Sequence, residues 1–231
     1  MSIVYIVSAP SGSGKSTLVN ELFKMVPGLD FSISYTTRAP RGSEQNGKEY
    51  FFVSEAKFKA MIEADEFLEF ARVFGNDGKH YGTARQFLRE AEKRGHDLVL
   101  DIDVQGAAQI KKKLPDAVSI FILPPDREKL EWRLRNRGVD SEEEIRRRLD
   151  TARREIEQYS QYDYILVNNV LEQSADELKA VVLAERIKKR GTKPTREEEG
   201  LVEIAQGLRL EQARERVQPI LASFGTVPMR S

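Results

Sequence analysis

Cysteine is absent from this chain of 231 residues, and its absence excludes several kinds of chemistry. Without a thiol there is no disulfide framework, no thiolate metal site and no cysteine nucleophile. Long hydrophobic runs are also missing. The apolar run at residues 3–7 is too short to cross a bilayer and has no basic segment before it. We therefore expect neither a signal peptide nor a membrane-spanning helix, and we expect a cytoplasmic protein.

An excess of charge of either sign is missing as well. The 37 Lys and Arg residues balance the 37 Asp and Glu residues, so the formal net charge is zero. No overall field attracts nucleic acid or an anionic membrane. We expect neither as a partner, and any recognition of phosphate must come from local groups.

A glycine-rich turn follows the first apolar run. Gly12 and Gly14 allow the backbone to curl so that successive N–H groups face an anion, and the helix expected from Thr17 to about Val26 presents its positive end there. These are the parts of a phosphate-binding P-loop, in which Lys15 reaches the β- and γ-phosphates and the Ser16 hydroxyl ligates Mg²⁺. The residues expected to bind ATP here are Ala9, Pro10, Ser11, Gly12, Ser13, Gly14, Lys15, Ser16 and Thr17.

One position departs from the general motif, because Ala9 stands where the pattern has glycine. An ordinary strand-to-helix turn is the alternative interpretation. The strand, the loop, the Lys-Ser pair and the helix occur together, which is the context that the motif requires. We therefore predict a nucleoside triphosphate site.

Apolar runs of strand length recur between helical stretches at residues 3–7, 98–102, 118–123 and 164–167. Such runs are typical of buried parallel strands, and their alternation with amphipathic helices predicts a doubly wound α/β sheet. Residues 33–83 interrupt this alternation of strands and helices with aromatic, β-rich segments around an expected helix at 55–64. We interpret them as an inserted subdomain.

Three pairs have the spacing of a helix capping box, in which a hydroxyl and a carboxylate satisfy exposed N–H groups reciprocally. The pairs are Ser141 with Glu144, Ser174 with Glu177, and Thr195 with Glu198. Each predicts a helix that begins directly after the hydroxyl residue.

Two arginines lie three residues apart around a proline in the insert. Pro40 blocks a helix and favours an extended turn, from which Arg38 and Arg41 can both point at one target. A phosphate monoester suits this pair, since its oxygens accept two parallel N–H bonds from a guanidinium group. Two solvated surface arginines are the alternative.

Asp101 and Asp103 follow an apolar strand with a spacing of two. Both carboxylates therefore lie on one side of the carboxyl end of a strand, where the sites of α/β sheets are found. Two helix-capping aspartates are the alternative interpretation.

Several further motifs occur in one order along the chain: Asn46-Gly47-Lys48-Glu49-Tyr50, Phe67-Leu68-Glu69, Tyr81-Gly82-Thr83 and Leu100-Asp101-Ile102-Asp103-Val104-Gln105-Gly106. With the P-loop and the arginine pair, they resemble the guanylate kinase family from the N-terminus to about residue 189. The resemblance implies a P-loop kinase core with an inserted, β-rich GMP-binding subdomain and a helical lid. Residues 76–80 look like a short insertion before Tyr81 relative to that family.

The resemblance implies roles for individual residues around GMP. The residues that match those holding its phosphate are Arg38, Arg41, Tyr50 and Tyr81, and those around the guanine are Ser34, Glu69, Thr83 and Asp103. Guanine presents N1–H and N2–H side by side, and a carboxylate such as Glu69 can accept both. Adenine has an acceptor at N1 and would leave that carboxylate unpaired. A solvated glutamate at a strand edge is the alternative for Glu69.

The resemblance also implies the groups that act on ATP. The catalytic candidates are Lys15, Arg38, Asp101 and the lid arginines Arg137 and Arg148. Arg133 is a weaker catalytic candidate, and we interpret the other lid arginines as a solvated helix face. Asn168 resembles a residue near the ATP base, and Ser16 and Asp101 are the expected Mg²⁺ contacts.

The implied reaction is reversible, in-line transfer of the γ-phosphoryl group from ATP to GMP or dGMP, with Mg²⁺, in purine nucleotide metabolism. The implied domain spans residues 1–189, with a core at about 1–32, 84–126 and 157–189, the insert at about 33–83 and the lid at about 127–156. Residues 190–231 form an extension, helical around residues 201–208 and disordered near 226–231. Whether the protein is a monomer or a homo-oligomer is left open.

Two other functions remain open at this point. One is a different small-molecule P-loop kinase, such as a sugar-phosphate kinase, against which Ser34, Glu69 and Thr83 argue. The other is a non-catalytic, protein-binding module of the same fold, against which the intact Gly14-Lys15-Ser16 motif and the lid arginines argue.

Overall fold

Residues 2–73, 78–136 and 141–225 are described by the computed structural model. The chain divides into two compact units. Unit 1 comprises Met1–Ile6 and Gly28–Val118, and unit 2 comprises Val7–Pro27 and Ser119–Ser231. Arg137, residues 76 and 77 of the expected insertion at 76–80, and the expected disordered end at 226–231 lie outside the described residues. The division into core, insert, lid and extension stays a prediction.

The described strands form two sheets. In chain order they are β1 (Val4–Ser8), β2 (Leu29–Ser32), β3 (Tyr35–Thr36), β4 (Phe51–Phe52), β5 (Phe67–Val73), β6 (Lys79–Ala84), β7 (Asp97–Asp101), β8 (Val118–Leu123) and β9 (Tyr164–Val167).

The larger sheet has the strand order β2-β7-β1-β8-β9. The pairs β2–β7 and β8–β9 are parallel. Every residue of β1 and β8 is buried, as expected of strands that are covered on both faces. The predicted parallel α/β sheet is therefore confirmed, and the runs at 118–123 and 164–167 became strands with those bounds.

The smaller sheet lies in unit 1 and has the order β4-β3-β6-β5. β6 runs antiparallel to both β3 and β5. Its hydrophobic cluster contains Phe58, Met61, Phe67 and Ala84, all buried. Phe58 and Met61 are three residues apart on one helix, so a single apolar face covers this cluster.

The helices are α1 (Lys15–Met25), α2 (Glu55–Glu63), α3 (Arg85–Arg94), α4 (Val104–Lys113), α5 (Arg127–Arg135), α6 (Glu142–Ile156), α7 (Leu171–Arg190), α8 (Arg196–Gly207) and α9 (Leu210–Ser223). α2 agrees with the predicted helix at 55–64, and α1 begins two residues before the predicted start at Thr17. Among the described helices, none has both the length and the hydrophobicity needed to span a bilayer.

The three predicted capping boxes had different outcomes. Thr195 and Glu198 form a complete box at the start of α8. Ser141 caps α6, but the Glu144 carboxylate binds Arg147 instead of returning to the cap. The prediction for Ser174 was wrong. α7 has already begun at Leu171, and the Ser174 hydroxyl donates to the carbonyl of Val167 at 3.2 Å.

The C-terminal extension packs within unit 2 along the free edge of β9. The backbone N–H of Ile165 donates to the carbonyl of Leu208 at 2.8 Å, and that of Leu210 donates to the carbonyl of Asp163 at 3.1 Å. This short antiparallel pairing, with the bridge between Tyr164 and Arg209, supplies partners that an edge strand otherwise lacks. The sequence analysis predicted a helix here but not α9.

A buried carboxylate joins the extension to the rest of unit 2. Glu185 of α7 is 8% exposed. It accepts a hydrogen bond from the Tyr164 hydroxyl at 2.5 Å and one from the Arg209 guanidinium at 2.6 Å. The guanidinium also lies over the Tyr164 ring, 4.2 Å from its centroid. Arg209 thus neutralises a charge that is shielded from water.

We predict that Arg209→Met lowers the free energy of unfolding by about 1–3 kcal/mol, because it leaves the buried Glu185 with only the exposed Lys188, 3.7 Å away, as a cation. The estimate lies below that for a fully buried pair, since solvent screens part of the Arg209 side chain. Urea unfolding of the variant and the wild type measures the difference. Arg190→Met removes an exposed pair with Glu198 and is the control, with no measurable change expected. Equal losses in the two variants would contradict the prediction.

Candidate functional site

The turn between β1 and α1 needs glycine at two positions in unit 2. Gly12 and Gly14 have φ angles of 93° and 87°, in the left-handed region that other residues avoid. A Cβ atom at Gly14 would lie 2.3 Å from Nδ2 of Asn168. The turn therefore has the conformation and the close packing expected of a phosphate-binding loop.

Two side chains hold this turn from outside. Nδ2 of Asn168 donates to the carbonyl of Ser13 at 2.6 Å, and Asn168 is 5% exposed. The Arg133 guanidinium donates to the same carbonyl at 3.3 Å and to the carbonyl of Asn168 at 2.9 Å. Arg133 was only a weak candidate in the sequence, because nothing in its own segment distinguishes it from the neighbouring arginines.

The Ser13 side chain has an unused hydrogen-bonding group. It is 0% exposed, and its hydroxyl has no partner among the described residues. A buried hydroxyl without a partner costs free energy. A ligand oxygen bound in the loop would satisfy it.

An open cleft of about 370 Å³ lies beside the turn in unit 2. Gly12, Gly14 and Thr17 form one side, and Trp132, Arg133 and Asn168 contribute to the others. Trp132 is 57% exposed, so a planar apolar surface faces solvent at this cleft. Such a cleft next to a phosphate loop is suited to a nucleotide base.

α1 begins at Lys15, so the first helical turn carries Lys15, Ser16 and Thr17. The N–H groups of a first turn lack intrahelical partners, and the helix dipole favours an anion there. The hydroxyls of Ser16 and Thr17 lie on exposed residues. A hydroxyl oxygen is the kind of hard donor that Mg²⁺ accepts together with phosphate and water, so the residues present fit the expected metal. The described residues contain no group of three or more His, Cys, Asp or Glu side chains that could hold a metal ion.

The predicted lid contains α5 and α6, on which most arginines make exposed ion pairs. Arg135 pairs with Glu131 and Glu142, and Arg147 pairs with Glu144. Arg148 is less exposed, at 25% of its side chain, and its Nε lies 3.4 Å from Glu144. The expectation of a solvated helix face therefore holds for Arg135 and Arg147.

In unit 1 the Arg38 guanidinium is buried in a polar and aromatic surround. It donates two parallel hydrogen bonds of 2.9 Å to the Glu44 carboxylate and one of 3.1 Å to the Tyr81 hydroxyl. It also lies 5.3 Å from the centroid of the Tyr50 ring. Glu44 additionally accepts from the backbone N–H of Arg41 at 2.7 Å.

Four predicted site residues are thus brought together: Arg38, Arg41, Tyr50 and Tyr81. With Arg38 8% exposed, the alternative of two solvated arginines is wrong for Arg38 and holds for the exposed Arg41. Sequence reasoning missed Glu44, whose only signal was its position three residues after Arg41. The hydrogen bonds from Arg38 lower the pKa of the Glu44 carboxyl.

Glu69 is buried on β5, with 4% exposure, so the alternative of a solvated glutamate is wrong. β5 and β6 align Glu69 with Thr83, and the Thr83 hydroxyl donates to the carboxylate at 2.7 Å. The pKa of Glu69 is raised to about 7, chiefly by burial; the charge on Asp103 also raises it, whereas hydrogen bonds from Thr83 and the charge on Lys113 lower it. A carboxylate held this way has free acceptor capacity and a strong demand for donors.

Asp103 caps α4 by accepting from the backbone N–H of Gly106 at 2.8 Å, so the capping interpretation holds for this residue. Capping occupies Oδ1 and leaves the second oxygen available. Asp101 is the last residue of β7 and is half-buried. Ser34 lies just before β3, where its carbonyl accepts from Phe51 at 2.9 Å.

Comparison with known proteins gives one consistent result. The family model described as Guanylate kinase matches residues 1–185. A guanylate kinase of Koribacter versatilis is 60% identical over 224 residues, covering 96% of this chain and 95% of the relative. A guanylate kinase of Escherichia coli K12 is 49% identical over 187 residues, covering 80% and 89%. The crystal structure of guanylate kinase from Anaplasma phagocytophilum has a TM-score of 0.66 at 34% identity, covering 80% and 86%.

Proposed function

Because this chain belongs to the guanylate kinase family and transfers the γ-phosphoryl group of ATP to GMP, we propose that unit 1 holds the GMP contacts and unit 2 the ATP contacts. The observation that carries the assignment to unit 1 is the buried carboxylate of Glu69 beside Thr83. The assignment of the ATP contacts to unit 2 is supported by the glycine turn at the start of α1.

Guanine is selected by Glu69. Its carboxylate accepts N1–H and N2–H of the base, which replace the bonds to water that burial removed. Adenine offers no donor at N1 and would leave a buried carboxylate without a partner. That loss discriminates between bases more strongly than the loss of a few apolar contacts would. Thr83 orients the carboxylate, and Ser34 and Asp103 contact the rest of the base. The same contacts do not involve the sugar, so dGMP is also accepted.

The phosphate of GMP is bound by Arg38, Arg41, Tyr50 and Tyr81. Arg38 is held rigidly by Glu44 and the aromatic rings, so little side-chain entropy is lost when the phosphate arrives. The Tyr81 hydroxyl accepts a hydrogen bond from Arg38, which places the two side chains side by side.

ATP is bound by the turn at residues 9–14 and the first turn of α1. Lys15 contacts the β- and γ-phosphates, the Ser13 hydroxyl donates to a phosphate oxygen, and Asn168 lies near the base. Mg²⁺ bound with ATP would neutralise phosphate charge, with the Ser16 hydroxyl as a direct contact. The phosphate oxygen of GMP is itself the nucleophile, so the enzyme supplies orientation and electrostatic stabilisation. Arg137 and Arg148 stabilise the charge on the transferring group.

A coupled assay of ADP release with GMP, dGMP, AMP, CMP, UMP and a sugar phosphate tests this assignment. We expect turnover with GMP and dGMP and little with the other acceptors. Equal turnover with AMP or the sugar phosphate would refute the role of Glu69. Cytoplasmic location stays a prediction.

We predict that GMP affinity falls as the pH is lowered below about 7, because Glu69 must be ionised to accept both guanine donors. Because its pKa is about 7, Glu69 of the free protein is mostly protonated at pH 6. The affinity for GMP should therefore be about tenfold lower at pH 6 than on its plateau at higher pH. Calorimetric titration with GMP between pH 6 and pH 9 measures this dependence.

Glu69→Gln is the control for that dependence, because the phosphate of GMP also titrates near pH 6. The pH dependence of GMP binding to the variant retains the contribution of the GMP phosphate and loses that of Glu69. At pH 8 it should bind GMP more weakly by about 2–4 kcal/mol, since a bidentate, charge-assisted contact is lost. The assignment fails if the variant and the wild type have the same pH profile.

We predict that Lys15→Ala abolishes turnover and leaves GMP binding largely intact, because the lysine serves the triphosphate. Steady-state kinetics and calorimetric GMP binding measure the two properties separately. Lys24→Ala is the matched control on the same helix, since Lys24 is exposed and pairs with Glu21. Near wild-type turnover in Lys15→Ala would contradict the prediction.

We predict that Arg148→Ala reduces kcat by about 100-fold or more, the size of effect expected when one strong electrostatic donor to the transition state is removed. GMP affinity should change far less, because the charge is needed chiefly during transfer. Arg147→Ala, the exposed neighbour that also pairs with Glu144, is the control with kcat retained. If kcat holds in Arg148→Ala and only binding weakens, the lid assignment is wrong.

A further inference from the structure

β5 is an edge strand of the smaller sheet, and side chains of α4 bind its outer edge. Nε2 of Gln109 donates to the carbonyl of Phe70 at 2.9 Å, and the N–H of Phe70 donates to Oε1 of Gln109 at 3.4 Å. Nζ of Lys113 donates to the carbonyl of Leu68 at 2.6 Å. Three backbone groups on one edge are therefore satisfied by one helix.

The spacing of these contacts places them on both sides of Glu69. Gln109 and Lys113 are four residues apart and thus share one face of α4, while Leu68 and Phe70 are the two chain neighbours of Glu69. The side-chain amide of Gln109 offers a donor and an acceptor together, as a peptide group of a neighbouring strand would. It closes an edge that is otherwise open to water or to another strand.

The same helix also makes room for the Glu69 carboxylate. A Cβ atom at Gly106 would lie 3.0 Å from Oε2 of Glu69, so the close approach of α4 to β5 favours glycine there. The register of β5 against β6 shifts between Phe67 and Glu69. An irregularity of this kind redirects side chains and weakens the ladder that would otherwise hold them.

We propose that Gln109 and Lys113 are positioning residues for guanine recognition, which hold the main chain on both sides of Glu69 so that its carboxylate stays aimed at the base. The inference rests on the proposed role of Glu69. Neither residue touches the base. They act by fixing the strand at the irregularity where the β5–β6 ladder is weakest.

Lys113 has a second effect, through charge. The charged groups that face Glu69 are Asp103, at the start of α4, and Lys113, at its end; β6 contributes the neutral Thr83 hydroxyl. The charge of Lys113 lowers the pKa of Glu69, and that of Asp103 raises it. Removal of the ammonium group should therefore raise the pKa of Glu69, an effect that a purely structural role would not produce.

Lys113→Met keeps the aliphatic stem and removes the donor and the charge. At pH 7 we expect kcat/KM for GMP to fall about fivefold, because a rise of one unit from a pKa of about 7 lowers the ionised fraction of Glu69 by about that factor. KM for ATP and kcat at saturating GMP should be retained, and the pH profile of GMP binding should shift upward. Lys113→Arg should restore most of the loss. Lys112→Met removes an exposed lysine of the same turn and should behave as the wild type.

Gln109→Met tests the other contact without changing charge. It should raise KM for GMP between about twofold and tenfold, the effect of losing one or two neutral hydrogen bonds. The pH profile should stay where it is. AMP turnover should not respond to either variant, since AMP does not use the Glu69 contact.

The Glu69→Gln background separates a positioning role from a general structural one. If Lys113 and Gln109 act through Glu69, adding either substitution to Glu69→Gln should cause little further loss of GMP affinity. Equal losses in both backgrounds, or a lower melting temperature with unchanged GMP affinity and pH profile, would overturn the proposal. If Glu69→Gln itself leaves GMP affinity unchanged, the role of Glu69 fails first and the inference falls with it.

Discussion

The burial of one carboxylate is the constraint around which unit 1 is organised. An ionised Glu69 at 4% exposure loses most of its hydration, and the hydrogen bonds from the hydroxyl and the backbone of Thr83 do not replace it. The resulting pKa of about 7 means that the empty site is balanced between the protonated and ionised forms. In the proposed complex guanine supplies two further donors, so that binding of the correct base would complete a pattern that the fold leaves incomplete.

Unit 2 also contains a polar group that the fold leaves unsatisfied, in this case at the turn between β1 and α1. The irregular backbone of the turn at Gly12 and Gly14 needs donors for its carbonyl groups, and Asn168 and Arg133 supply them to the carbonyl of Ser13. The Ser13 hydroxyl has no partner among the described residues. A supported glycine turn that keeps an unsatisfied polar group is suited to an anion.

Edge strands are completed differently in the two units. The edge of β9 is covered by a backbone pairing with residues 208–210 of the C-terminal extension. The ion pair between the buried Glu185 and the half-buried Arg209 reinforces these contacts. The edge of β5 is covered by the side chains of Gln109 and Lys113. Both arrangements leave fewer open backbone groups for unwanted pairing. In unit 1 the covered edge also bears Glu69, the residue proposed to recognise the base.

The sequence by itself predicted the parallel sheet and the glycine turn before α1, and its resemblance to a known family indicated the two substrates. The strands Val118–Leu123 and Tyr164–Val167 were found with their bounds because a buried parallel strand is a continuous apolar run, which is visible locally. Local patterns failed where distant contacts decide: Ser174 has cap spacing but lies inside α7. Tertiary structure alone placed Arg133 against the phosphate loop, 120 residues away, and buried Glu69. The burial of a side chain and its hydrogen-bond partners depend on which segments meet in space, and the spacing of residues along the chain does not determine which segments meet.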